Sequence, residues 1–360
     1  MPRLYGKSIS KADLRARIGN MSQACGIRLA TMDDGAEEGV RVAEVRTGSG
    51  FNFTVGLSRG MDISTAEWCG RSLSWHSPTG VTHPAYFEPE GLGWLRSFHG
   101  GLLTTCGLTY AGAPSEDEGE SLGLHGRVSN LPARRVSVDE RWEHDEYAMS
   151  MRGQIVETRV FGENVLLTRS ITARLGEPRL WITDVVSNEG HERTPHMMLY
   201  HINGGYPVID AGAQLVAPSV SVRPRDAEAE KEQERWAECS APIVGFAERV
   251  YYHQMAADAE GMVTAALINR ALGDGFGFYI RYRQAELPKF VQWKMMGAGA
   301  YVVGMEPSNC WVGGRAQERA SRELQFLEPA EQREYLLEIG LLTSAAEIDE
   351  VVHAMSSVLR

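Results

Sequence analysis

Short apolar runs separated by turn residues dominate the chain, and stretches with helical spacing are few. Residues 154–160 and 165–173 read as two strands joined across Gly162-Glu163-Asn164. Residues 180–187 follow Gly176-Glu177-Pro178, and residues 197–202 follow Asn188-Glu189-Gly190. Turn chemistry at such regular intervals predicts an antiparallel meander, because Gly, Asn and Asp tolerate the backbone angles of tight turns. Residues 263–269 and 276–283 flank Gly273-Asp274-Gly275 and predict one more hairpin. Within it Tyr279, Arg281 and Arg283 alternate with Ile280 and Tyr282, the period of a half-solvated strand.

Three segments carry helical signals. Residues 10–18 predict a short helix starting near Ser10, and residues 344–358 a C-terminal one, with Ser344 as cap and Glu347 three residues later. The charge-dense residues 227–236 read as a solvated helix or loop. Residues 77–93, rich in Pro and Gly, predict a long surface loop fit to rim a binding site. The predicted fold class is therefore all-β, as two packed sheets or a closed barrel. Strand patterning is alike on both sides of residues 223–238, so one domain over residues 1–360 is preferred to two.

Composition narrows the partners. A chain of 360 residues can bury a large core without staples. Its net charge of −11, from 36 basic and 47 acidic residues, opposes non-specific binding to nucleic acid or anionic membrane. A few local arginines still leave room for an anionic small molecule. Five cysteines, an odd number with no C-x-x-C pair, argue against a disulfide framework or a Cys-rich zinc site. The N-terminus lacks the apolar run of a signal peptide, and no stretch is apolar enough to span a bilayer. A cytoplasmic protein is expected. The glycine-rich Gly273-Asp274-Gly275-Phe276-Gly277 sits inside a hairpin, not between strand and helix, so it is no nucleotide loop. A G-x-S-x-G elbow is absent.

Candidate chemistry centres on two segments. His201 ends an apolar strand and precedes Asn203-Gly204-Gly205, where the backbone can approach a ligand closely. Its imidazole titrates near neutrality and can give and take a proton. Glu306 follows the apolar residues 301–305, so burial is expected. A buried carboxylate needs either a partner, here an arginine, or a raised pKa that suits a general base. His125 and His99 are each pressed against glycine, as donors to a sugar hydroxyl or as loop histidines without a role. Arg59, Asp62, Arg71 and Arg127 are further hydroxyl ligands in waiting or ordinary ion-pair partners. Trp293 and Lys294 offer a stacking face and a cation, or simply core. Histidines and Glu306 would suit a divalent metal, but H-x-H and H-E-x-x-H spacings are absent.

These segments resemble the aldose 1-epimerase, or galactose mutarotase-like, superfamily, and within it a bacterial branch of unknown function. The resemblance runs through most of the chain. Leu57-Ser58-Arg59-Gly60-Met61-Asp62-Ile63 is similar to the family's early strand. Gly93-Trp94-Leu95 and Phe98-His99-Gly100-Gly101-Leu102 are similar to its segment entering the site, and Leu124-His125-Gly126 to its substrate-binding His-Gly motif. Tyr200-His201-Ile202-Asn203-Gly204-Gly205 resembles the stretch with the catalytic acid, and Gly304-Met305-Glu306-Pro307 the stretch with the catalytic base. Ile202-Asn203 replaces the family's usual aromatic pair, and the aspartate that holds a sugar hydroxyl has no counterpart in the sequence. The resemblance implies a large antiparallel β-sandwich, or supersandwich, with few short helices, and fold alone does not fix function.

Three functions are open on this reading. The first is an enzyme that interconverts the anomers of an aldose or modified sugar, with Glu306 as base, His201 as acid and no cofactor. The second is a metal-dependent isomerase or epimerase of a keto sugar or sugar acid. The third is a non-catalytic carbohydrate-binding protein. All three expect a small-molecule carbohydrate partner and neither nucleic acid nor membrane; the sugar and the oligomeric state stay open.

Overall fold

The computed structural model describes residues 1–359. A one-turn helix, α1 (Lys11–Arg15), begins at Ser10, whose side chain accepts from the Asp13 amide. Strands β1 (Gly26–Thr31), β2 (Arg41–Arg46), β3 (Phe51–Gly56) and β4 (Asp62–Trp68) follow, then a long loop and β5 (Leu103–Leu108). The next run is β6 (Arg134–Glu143), β7 (Glu146–Thr158), β8 (Asn164–Arg174), β9 (Arg179–Asn188) and β10 (Thr194–Gly204). After β11 (Gln214–Val216) and β12 (Ser219–Pro224) comes the short helix α2 (Ala227–Glu230). The chain ends with β13 (Arg249–Met255), β14 (Met262–Asn269), β15 (Phe276–Arg283), β16 (Lys289–Gly297), β17 (Ala300–Ser308), β18 (Gln332–Leu342) and helix α3 (Ala345–Val358).

These strands form two large antiparallel sheets packed as a β-sandwich. A twelve-stranded sheet runs β12-β13-β16-β17-β10-β5-β4-β3-β2-β1, with two short strands pairing off this path. An eight-stranded sheet runs β6-β7-β8-β9-β18-β15-β14-β11. Strands from both sides of residues 223–238 interleave in each sheet.

The predicted meander holds from β6 to β9, and β14 and β15 form the predicted hairpin. The difference lies at β10, which leaves the meander for the centre of the other sheet. Its residues explain this. β7 and β8 alternate between buried and partly exposed positions, as strands with one wet face do, whereas β10 is buried on both faces over nearly its whole length. Met198, Tyr200 and Ile202 join the core between the sheets. Met197 and Leu199 point the other way, into a second apolar cluster with Trp94, Phe98 and Cys106.

The core also holds a charged network. Arg169, fully buried, donates to Asp184 at 2.9 and 2.7 Å and to Asp62 at 2.9 Å. Tyr200 donates its hydroxyl to Asp184 at 2.7 Å. Such a cluster is tolerable only because nearly every polar atom finds a partner.

The predicted helices are present but trimmed. At the C-terminus Ser344 accepts from the Glu347 amide, and Glu347 accepts from Thr343. Residues 227–236 form only α2 and a 3₁₀ turn, Gln233–Arg235. They are more than a solvated segment: the Arg235 and Trp236 carbonyls accept from Lys294 and Gln292, each at 2.8 Å. Among the described residues no helix is long and apolar enough to cross a membrane.

Candidate functional site

The outer face of the twelve-stranded sheet carries the site. Odd-numbered residues of β10 from Met197 to Asn203 share that face, so the period that sends Tyr200 and Ile202 into the core sends His201 outward. β10 pairs with β17, placing Asn203 opposite Gly304, and β17 pairs with β16, placing Glu306 opposite Val291 and Gly304 opposite Trp293. His201 Nε2 and Glu306 Oε1 lie 3.3 Å apart, with side chains 6% and 2% exposed. Gly304 makes this contact possible: a Cβ there would stand 2.6 Å from Glu306 Oε1 and 3.4 Å from His201 Cε1.

The imidazole is held from behind. Asn203 Nδ2 donates to the carbonyls of His201 and Gly101 at 3.0 and 3.2 Å, which turns Oδ1 toward His201 Nδ1 at 2.6 Å. Nδ1 is therefore the protonated nitrogen, and Nε2 of the neutral ring offers a lone pair to Glu306. Burial pushes His201 down to about 4, against the pull of Asn203. Burial, reinforced by the nearby Glu248 carboxylate, holds Glu306 well above the usual carboxylate range; Arg225 opposes this more weakly. These opposite shifts favour the neutral pair, with the proton on Glu306, between about pH 4 and the raised Glu306 value.

Above the pair opens a cavity of about 420 Å³. Trp94, Phe98, His125 and Trp293 surround His201, with ring centroids of Phe98, Trp293 and His125 at 5.3, 5.4 and 5.8 Å from it. His125 has a left-handed backbone, φ 58°, beside Gly126, and its Nδ1 accepts from the Gly112 amide at 3.4 Å. Its Nε2 is then the donor. Burial and the neighbouring His201 push the His125 ring down to about 3, so it is neutral. At the mouth Arg225 donates to Glu248 at 3.0 Å and to Asp226 at 2.7 Å, and the Trp293 indole donates to Glu248 at 2.9 Å.

The structure brings His125, His201, Trp293 and Glu306 to this cavity and places the other sequence candidates elsewhere. Asn203 touches His201 but not the cavity lining. Arg59 is buried and spends its guanidinium on the Ser129, Thr82 and Ser97 carbonyls, fastening the loops beneath the site. Asp62 belongs to the Arg169 network and accepts from Thr105. Arg71 lies over the rings of Trp68 and Phe276. Lys294 neighbours Trp293 on a strand, so it faces the opposite side. Arg127 is exposed, and His99 is buried with no partner for either ring nitrogen among the described residues. Among the described residues no three His, Cys, Asp or Glu side chains are grouped to hold a metal ion.

Sequence reasoning missed Arg225 and Glu248. They bracket the charge-dense stretch read as solvated, and only the pairing of β13 with β16 brings Glu248 beside Trp293. Trp94 and Phe98 were visible as aromatics in the loop entering the site, without a role attached.

Solved structures share this architecture. A candidate aldose 1-epimerase from Klebsiella pneumoniae subsp. pneumoniae MGH 78578 superposes with a TM-score of 0.89 at 26% identity, covering 93% of this chain and 88% of that one. A galactose mutarotase-like protein from Clostridium acetobutylicum gives 0.62 at 13% identity, with 89% and 99% covered. Galactose 1-epimerase from Lactobacillus acidophilus NCFM gives 0.56 at 10% identity, with 89% and 99% covered; the last two speak to fold alone. No curated protein matches the sequence. The sequence profile of a domain of unknown function, DUF4432, matches residues 37–341. With that match over most of its length, the chain belongs to the DUF4432 family, within the galactose mutarotase-like superfamily.

Proposed function

We propose that the protein interconverts the anomers of an aldose or modified sugar by general acid–base catalysis at His201 and Glu306. The observation that carries this reading is the 3.3 Å His201–Glu306 contact, buried at the floor of a sugar-sized cavity. The likeness to the Klebsiella structure supports it.

Sugar hydroxyls entering the cavity solvate the pair and move its proton from Glu306 to His201 Nε2. Glu306 then removes the anomeric hydroxyl proton while His201 protonates the ring oxygen, and the ring C–O bond breaks to give the free aldehyde. Rotation about C1–C2 presents the other carbonyl face, and the two proton transfers reverse as the ring closes. His125 Nε2–H is placed to hold a hydroxyl, and Trp293 to cover an apolar ring face. No cofactor enters these steps. Exchange spectroscopy between anomers tests the reading: acceleration that survives chelator treatment is expected. A rate that disappears with the metal would favour a metal-dependent isomerase, and binding without any acceleration a carbohydrate-binding protein.

The pH dependence follows from the single proton. Below about pH 4 His201 takes up a second proton, leaving no base. Above the raised Glu306 value the pair loses its only proton, leaving no acid. A bell-shaped kcat/KM is expected, with its acid limb near pH 4 and its alkaline limb well above the ordinary carboxylate range. A profile that is flat across both limbs would contradict the one-proton pair.

Gly304→Ala tests the contact itself. The added methyl group would stand 2.6 Å from Glu306 Oε1 and 3.1 Å from the Trp293 Cβ, so the carboxylate has to move. A loss of about 10²-fold in kcat/KM is expected from misplacement of this order, with the far-UV circular dichroism of the parent. An unaltered rate would show that the two groups need not touch.

A further inference from the structure

The cavity is built unevenly. Five of its sixteen lining residues are polar, namely His125, His201, Arg225, Glu248 and Glu306, and the other eleven are apolar. On the strand side stand the Arg225–Glu248 pair and Trp293. On the loop side, His125 apart, stand Leu92, Pro114, Leu124 and Val312. This wall is knit by backbone bonds from Ala113 to the Val312 carbonyl and from Leu124 to the Gly91 carbonyl, so its apolar face is fixed in place. Leu92 and Leu95 extend that character to the rim, where they are 61% and 48% exposed. The arginine and lysine that a sequence reading would assign to sugar hydroxyls, Arg59 and Lys294, are bound to backbone carbonyls away from the cavity.

An aldohexose in pyranose form brings an anomeric hydroxyl, a ring oxygen, three ring hydroxyls and a hydroxymethyl group. The His201–Glu306 pair takes the first two. His125 Nε2–H and the Arg225–Glu248 pair can take ring hydroxyls. With those groups taken, a pose that turns C5 toward the loop side sets the sixth carbon against the apolar wall. Charge adds a second restriction. Arg225, the one lysine or arginine lining the cavity among the described residues, is already bonded to two carboxylates, Asp226 and Glu248, and is not free for a phosphate or a uronate. A hydroxyl buried without a partner weakens binding, and an anion beside Glu248 weakens it more.

Resting on the reading of this cavity as a sugar site, we propose that its substrate class is neutral 6-deoxyhexoses, whose methyl group packs against the Leu92–Leu124–Val312 wall. Hydroxylated, phosphorylated and uronic counterparts are then the poorer ligands.

Calorimetry on the Glu306→Gln variant, which keeps the cavity but lacks the carboxylate, isolates binding from turnover. The probes are one hexose, its 6-deoxy analogue, its 6-phosphate and its uronic acid, in the gluco, galacto and manno series. The 6-deoxy sugar of at least one series is expected to bind about 10- to 100-fold more tightly than its parent hexose, the discrimination one hydroxyl brings in an apolar pocket. Val312→Thr, which adds a hydroxyl to the wall at nearly constant volume, is expected to narrow that ratio. Equal affinities, a preference for the hexose or an anionic form, or no binding in all three series would overturn the proposal. If the preference is present while the wild-type protein accelerates no anomer exchange, the substrate class stands and the catalytic reading falls.

Discussion

Glu306→Gln is expected to lower kcat for anomer exchange by about 10²–10⁴-fold while leaving the fold intact. Glutamine matches the volume of glutamate and can donate its amide N–H to His201 Nε2, but it cannot take a proton from the anomeric hydroxyl. The structure also fixes what the substitution does to stability. Among the described residues no arginine or lysine is ion-paired with Glu306, whose close contact is the neutral His201 ring, so no buried cation is orphaned by the change. The sign of the pH effect follows from the raised carboxyl. Below the unfolded value, near pH 4, both states are protonated and burial of Glu306 carries no ionisation penalty. Above it the unfolded chain ionises and the folded one does not, so the parent loses stability as pH rises toward the folded value. The variant lacks this loss. Its melting temperature relative to the parent is therefore expected to rise from pH 4 to neutrality. A variant less stable than the parent at pH 7, with turnover reduced only in proportion to folded protein, would mark Glu306 as a structural group.

Asp184→Ala is expected to destabilise the protein by about 3–5 kcal/mol, the range for breaking a fully buried ion pair from one side. Arg169 and Asp184 are both fully buried, and removing the carboxylate strips Arg169 of three of its bonds and Tyr200 of its acceptor. Asp62 is then the one carboxylate bonded to the guanidinium, at Nη1, beside the Gly60 and Met61 carbonyls. Urea unfolding of this variant beside Glu143→Ala gives the contrast. Glu143 pairs with Arg141 at the surface, where the two side chains are 45% and 58% exposed, and its loss is expected to cost less than about 1 kcal/mol. Equal effects at the two sites would remove the network from any account of stability.

Much of the fold was legible because its signals are local. Gly273-Asp274-Gly275 marks a hairpin wherever it occurs between strand-like runs, and Ser344 with Glu347 marks a helix start. Within the site, His201, Glu306 and His125 were legible because each sits beside glycine or in an apolar run, where a polar side chain needs a reason. The partners of buried charges were not. Nothing near Asp62 in the sequence points to Arg169 or Asp184, which meet it across the sandwich. One error was avoidable from the two-residue period alone: Trp293 and Lys294 are consecutive on a strand, so one cavity cannot receive both. Arg225 and Glu248 were hidden for the opposite reason, because charged residues flanking a charge-dense segment look like surface until a neighbouring strand gives them a cavity to face.

The central position of β10 ties the site to the order in which the chain is made. Glu306 is synthesised roughly a hundred residues after His201, and their contact requires non-local pairing of β10 with β17, the slow kind of contact in folding. The chain emerged through β10 can form β6 to β9 as consecutive hairpins, but of the His201–Glu306 pair it holds only His201. A truncated product ending before β17 therefore leaves that edge of β10 without its partner strand. Ligand capture is then a late event in biogenesis, and a sugar that binds the finished cavity reports on completed sheets and not on any smaller folding unit.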